Sequence, residues 1–280
     1  MALSRSLYST QFLELTLTEA TGATTVISGL PVQTASIERT VPTEDIIILG
    51  KLGSVGRQQK EVESVKMDIK LFWATGSGNN LSAANLDTLT GNALNGTRSK
   101  VVVTPNGFTG YGILTNFGID AGVGDFLTAN MSFEGFGTPI ITTAATAAAN
   151  ASSYPSASVV VYTSENVSAG GSDETIKSAK FSIDIPSERL SRLGAPITGS
   201  QTGADLTGNH LLVAKPPFKV SVSYDGQFMT GAHANDPITF GHLKITPANS
   251  NITTQSFSQN AGDVGATMSF ASEGTSCTFA

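Results

Sequence analysis

The sequence predicts a mainly β protein built as two tandem β-barrel or sandwich domains, each with at most one short flanking helix, and three observations predict it. Thr34 to Gly50 aligns without a gap on Ser178 to Gly194, placing Pro42 on Pro186 at an offset of 144 residues. Met131-Ser132-Phe133-Glu134-Gly135-Phe136-Gly137-Thr138 echoes Met268 to Thr275 at an offset of 137, so the halves are expected to differ in loop length and not in strand order, with Phe133 on Phe270. A period this long is a domain duplication, not a short solenoid repeat. Charged residues make up only 14% of the 280 positions while glycine occurs 29 times, the profile of short strands joined by turns. Domains are expected at 1–140 and 155–280, with 141–154 as a linker, because the Ala/Thr/Ser stretch from Thr142 to Ser153 has nothing with which to build a core.

Taken in order, Phe12 to Thr18 alternates apolar and polar residues and sets Leu13, Leu15 and Leu17 on one face of a strand. A turn at Ala20-Thr21-Gly22 and the run Thr24 to Ser28 complete a hairpin. The next strand turns Ala35 and Ile37 inward and runs to Pro42; its echo turns Ala179, Phe181, Ile183 and Ile185 inward and runs to Pro186, because proline has no N–H to give a ladder. After each proline, Thr43-x-x-Ile46 and Ser187-x-x-Leu190 read as a short helical turn with a hydroxyl cap, ended by Gly50 and Gly194. Lys51 to Val65 and Ala195 to Pro217 read as long excursions of the kind that carries contacts. Lys66 to Phe72 is a strand with Met67, Ile69 and Leu71 on one side, and Lys219 to Tyr224 is its counterpart. Leu81 to Leu94, with Ser82 as cap, is the one clear helix. Each half closes on an alternating strand, through Leu127, Ala129, Met131 and Phe133 or through Ala266, Met268 and Phe270, and equal parity predicts equal packing.

Catalytic chemistry is not legible. Cys277 is alone, so neither an internal disulfide nor a zinc-binding spacing exists, and His210, His233 and His242 lack ligand spacing or a neighbouring nucleophile motif. Gly122-Val123-Gly124 and the Gly262 to Gly265 segment lack the lysine of a P-loop and read as turns. Glu44 and Glu188 stand at matching places in separate domains, where a local helix-end role accounts for them. No enzyme activity, cofactor or metal is therefore expected. A net charge of −6 and a pI near 5.0 disfavour a general grip on nucleic acid. Neither a secretory signal nor a long apolar span is present, so no membrane partner is expected. The charged set Lys51, Arg57, Lys60, Glu61 and Glu63 reads either as a solvated hairpin or as an ion-paired subunit contact.

The strand running into Pro42-Thr43-Glu44 and a glycine-ended turn, the long segment after Gly50, the late helix and the closing Met131 to Gly137 resemble the major tail tube protein of tailed bacteriophages. The resemblance covers both halves. It implies a small β-barrel or sandwich with a helix on its flank, rings that pair their sheets around a lumen, and stacked rings conducting double-stranded DNA during ejection, with no catalytic residues. Most such proteins carry one tube domain and form hexamers; two per chain imply a homotrimeric, pseudo-hexameric ring. Implied partners are further copies, the tape measure, terminator and baseplate or tip proteins, and DNA passing without specific binding, in a virion tail assembled in the host cytoplasm. Lys51, Arg57, Lys60, Glu61 and Glu63 become candidates for contacts between rings, and Glu14, Asp68, Lys70, Ser221 and Ser223, on polar strand faces, candidates for the lumen. The rival reading is a non-catalytic two-domain β-sandwich decoration, baseplate or adhesin-like binding protein, which exposed aromatic clusters would favour. A carbohydrate-active sandwich comes third and needs an acidic pair among aromatics that the sequence does not offer.

Overall fold

A computed structural model describes residues 12–18, 24–75, 81–104, 107–123, 125–141, 158–159, 167–169, 175–191, 210–227, 235–259 and 267–280. The Ala20-Thr21-Gly22 turn, His233, the Gly262 to Gly265 segment, most of Ala195 to Pro217 and the expected linker, except for Ile141, which pairs with Phe108, lie outside them. The first half holds β1 (Phe12–Thr18), β2 (Thr24–Thr40), β3 (Thr43–Ile47), β4 (Ser54–Gln59), β5 (Ser64–Phe72), β6 (Ala74–Thr75), α1 (Ala83–Asn95), β7 (Ser99–Thr104), β8 (Phe108–Gly122), β9 (Thr128–Phe136) and β10 (Ile140–Ile141). The second holds β11 (Ser158–Val159), β12 (Val167–Ala169), β13 (Thr175–Asp184), β14 (Ser187–Ser191), β15 (His210–Ala214), β16 (Lys219–Gln227), β17 (Ile238–Phe240), β18 (Leu243–Ala248), β19 (Asn251–Ser258), β20 (Thr267–Gly274) and β21 (Ser276–Phe279).

Six antiparallel strands close a barrel in the order β1-β2-β5-β9-β8-β7 and back to β1. Closure depends on two long strands that change partners. β2 pairs β1 through residues 24–31 and β5 through residues 32–40, with bulges where it turns; β8 pairs β7 through its first half and β9 through its second. Such bulges let one strand bend from one sheet into another. Gly135 marks the tightest approach, since a Cβ there would run into the Tyr111 carbonyl oxygen on β8. The barrel is filled by the alternating faces that the sequence indicates, with Leu13, Leu15, Leu17, Met67, Phe117 and Phe133 fully buried.

α1 lies as its sequence signals require. Ser82 Oγ accepts the Asn85 N–H at 3.3 Å, Gly96 ends the helix in the left-handed region at φ 68°, and Leu86 and Leu89 are fully buried. The helix packs on β1, β8, β15 and β21, and so touches both halves. The segments after the prolines are not helical turns. β3 pairs β4, and β14 pairs β15, as antiparallel hairpins. In the first hairpin the β-branched run Ile46-Ile47-Ile48 and the Asp45–Arg57 pair, Oδ1 to Nε 2.7 Å across the strands, favour extended backbone over the capped turn. Lys51 to Val65 is therefore the second arm of a hairpin and the start of β5, not an open excursion.

A further four-stranded sheet, β12-β17-β18-β21, packs Ile238, Phe240, Leu243 and Ile245 into the same core. Trp73 joins the halves as well, its ring stacked on His242 at 5.3 Å between centroids.

Candidate self-assembly interface

The two halves meet in a continuous sheet. β8 pairs β13 from Gly122 opposite Ser178 to Asn116 opposite Asp184. Phe181 stands opposite Ile119, both fully buried; Lys180 Nζ lies 3.3 Å from Asp120; and the Asn116 amide donates to Asp184. The β14–β15 hairpin then reaches back across this junction onto the first half. Arg189 Nη2 is 2.5 Å from Glu134 Oε1, the Ser187 hydroxyl donates to Glu134 Oε2 at 3.1 Å, and the Arg189 guanidinium lies over the Phe136 ring, which also meets His210.

The ladders on either side of the junction run in parallel. Thr34 to Thr40 pairs Lys70 to Ser64 as Ser178 to Asp184 pairs Asp225 to Lys219. β5–β9 is matched by β16–β20, and β8–β9 by β19–β20, including a bulge at Thr115 in one ladder and Thr253 in the other. Both bulge threonines donate their hydroxyl to a backbone carbonyl at 3.2 Å, Thr115 to Ser132 and Thr253 to Ala271. The ion pairs Lys60–Glu44 at 3.3 Å and Lys215–Glu188 at 3.4 Å occupy equivalent places, and so do the bonds from Lys60 N–H to Pro42 O and from Lys215 N–H to Pro186 O. These ladders match Met131 with Phe270, and Glu134-Gly135 with Glu273-Gly274. The alignment of Phe133 on Phe270 is thus corrected by two residues: Ser272 stands where Phe133 does. A slip of two keeps every side chain on its face, so the alternating pattern is blind to it.

Carried through, this correspondence makes β2 residues 34–40 the counterpart of β13 and β19 the counterpart of the second half of β8. Inside the chain those two elements are paired. Here, among the described residues, β2 beyond Pro31 has β5 on one edge and no strand on the other, while β19 has only β20. β19 is exposed along its whole length, with Phe257 63% exposed on the apolar side of the sheet, and Ile37 stands half-buried on the same side at the opposite edge. Unpaired edges with apolar rims are templates for another chain.

No family model matches the chain, and no curated protein does.

The other face of the eight strands β2-β5-β9-β8-β13-β16-β20-β19 is polar. Four of the lumen candidates lie on it together, Asp68 and Lys70 on β5 and Ser221 and Ser223 on β16. Glu14 stands apart, on β1 in the part of the barrel outside these strands. Carboxylates on this face (Glu38, Asp68, Asp120, Asp184, Asp225, Glu273 among them) outnumber the lysines Lys66, Lys70, Lys180 and Lys219. Of the charged set, Arg57 and Lys60 lie on the exposed β4 arm or just beyond it and Lys51 at the hairpin tip, with Glu61 exposed. Glu63 points inward: its carboxylate takes Arg39 Nε and Nη2 at 2.7 and 2.6 Å and the Thr138 hydroxyl at 3.0 Å. Sequence reasoning missed both edges that have no partner strand among the described residues, since no local pattern marks an unpaired strand. Among the described residues no group of His, Cys, Asp or Glu could hold a metal ion, and no helix is long and apolar enough to cross a membrane.

Arg39 and, to a lesser degree, Thr138 hold the Glu63 carboxyl below the usual carboxylate range by hydrogen bonding, against the opposing effect of its own burial. A carboxyl depressed in the folded state adds stability that is present above its unfolded pKa of about 4.3 and lost as pH falls through the folded value. Removing Arg39 leaves that carboxylate buried with only the Thr138 hydroxyl to meet it. Arg39→Ala is expected to cost about 2–3 kcal/mol at pH 7, with the deficit shrinking below pH 4 in denaturant melts. A deficit independent of pH would show that the pair is not its source.

Proposed function

We propose that this protein is a structural virion subunit that polymerises through its sheet edges into trimeric rings, which stack into a phage tail tube conducting double-stranded DNA during ejection. One observation carries the reading: the chain contains the β8–β13 junction and also displays a copy of each of its two sides that has no partner strand among the described residues. Pairing β19 of one copy with β2 of the next repeats the internal junction. It sets Phe257 opposite Ile37, in place of Ile119 opposite Phe181, with Ser258 opposite Ser36 and Thr254 opposite Thr40. The contact is heterologous, so it generates a ring if the rotation closes. The repeated ladders support two tandem tube-like domains per chain, and two per chain give three chains for six positions. The mostly acidic polar face, turned to the lumen, gives DNA no counterion-releasing grip and lets it slide. At the β3–β4 tip, Ile47, Leu49 and Leu52 are 76%, 102% and 108% exposed, which supports contact between successive rings. The phage assignment itself rests on the resemblance of the sequence.

The test is a cysteine pair. Opposed residues of an antiparallel pair have Cα atoms about 4.5–5.5 Å apart, within disulfide range. Ile37→Cys with Phe257→Cys, in a Cys277→Ala chain, is expected to oxidise into covalent trimers, and native rings are expected to weigh three chains. Six-chain rings or a disulfide closed within one chain would overturn the proposal.

A further inference from the structure

We infer that the β3–β4 hairpin of one copy clasps the second half of the next copy, with Arg57 and Thr43 holding that copy's Glu273. The inference rests on the edge pairing proposed above and adds a second contact to it. Its precedent is internal: the β14–β15 hairpin crosses the β8–β13 junction and fastens onto Glu134 through Arg189 and Ser187. The ladders make Glu273 the counterpart of Glu134, and Thr43 the counterpart of Ser187.

The charge at this contact has changed places. Where β14 has Arg189, β3 has Asp45, which alone would repel Glu273. Opposite Arg189 stands Leu212, whereas opposite Asp45 stands Arg57, so the cation has moved to the facing strand. Arg57 Nε is engaged by Asp45 at 2.7 Å, and a guanidinium has further donors to give a second carboxylate. Arg57 and Glu273 are both accessible, with side chains 73% and 51% exposed, and Glu273 is otherwise met by Lys219 at 3.3 Å.

Polarity changes on both sides of the contact at once. The second hairpin buries Leu212, Ala214 and His210, the last against Phe136. At the places of Leu212 and Ala214 the first hairpin carries Arg57 and Gln59, with the exposed Val55 two residues before Arg57, and the residue matching Phe136, one beyond Gly274, is Thr275. Within the chain Leu212 and Ala214 go with an aromatic seat, and between copies Arg57 and Gln59 would go with a threonine in its place. Such matching is what two surfaces of one interface require.

The experiment uses full-length chains with Cys277→Ala. Thr43→Cys with Glu273→Cys, treated with a short bis-maleimide, is expected to give links between chains in the same rings that Ile37→Cys with Phe257→Cys links by disulfide. Arg57→Glu is expected to raise the concentration for half-assembly about tenfold, with an unchanged thermal melt, and adding Glu273→Arg to recover most of it. If the edge disulfide forms while the hairpin link fails or closes within one chain, or if the charge swap recovers nothing, the clasp is wrong and the ring stands. If neither link forms between chains, both fall.

Discussion

Phe181→Ala is expected to cost about 3–5 kcal/mol of unfolding free energy, the range for emptying a buried phenylalanine site. Its ring is fully buried, 6.2 Å between centroids from Phe117 on β8 and 6.3 Å from Phe279 on β21, and its strand is the one that joins the halves. The loss is expected in a single transition, because the truncated side chain belongs to a core both halves share. Denaturant unfolding of a monomeric chain, followed by Trp73 fluorescence and by far-ultraviolet circular dichroism, is the measurement. Trp73 is the only tryptophan, and it sits where the first half stacks on His242. Two separate transitions, with Phe181→Ala moving only one, would show halves that fold independently.

A single charge at position 257 is expected to abolish assembly and spare the fold. Phe257 is 63% exposed in the chain, so Phe257→Glu has little to disrupt there. In the proposed ring the same carboxylate would be buried against Ile37 without a partner, at a cost of about 3–5 kcal/mol for each junction. That exceeds a hundredfold in each equilibrium constant. Ile37→Lys is expected to fail in the same way, and a chain carrying both changes to form rings again, since lysine then faces glutamate. Sedimentation and negative-stain images at matched concentration decide the matter; tubes from Phe257→Glu chains at wild-type yield would remove β19 from the interface. The same variant supplies the monomer for the unfolding experiment.

How much of this was readable beforehand depended on the range of each signal. α1 was legible because its cap, apolar stripe and terminating glycine lie within sixteen residues, from Leu81 to Gly96. β5, β9 and β13 were legible from strict alternation. β3 was misread because Thr43 and Gly50 supply helix-end signals locally, whereas its partner Arg57 lies twelve residues on. The lumen candidates show the same limit: parity grouped Asp68 and Lys70 on one face of β5, and nothing in the pattern placed Glu14 on a strand outside that surface. The junction was invisible for a stronger reason. Nothing along Phe108 to Gly122 says that the second half of this strand, while still paired to β9, turns its other edge from β7 to β13, because pairing is chosen by what approaches in space.

In the proposed ring, the β8–β13 junction would also set the order of events when copies meet. Its two sides belong to one chain and meet intramolecularly, at an effective concentration far above that of free subunits. In a ring of three chains, half of the wall seams would thus be completed during folding, before any collision. Only two encounters and a closing contact remain where six separate domains would need five and a closing contact, so nucleation should fall off much less steeply on dilution. A seam that folds in cis cannot be mispaired with a stranger, which leaves a single kind of edge to be recognised in trans.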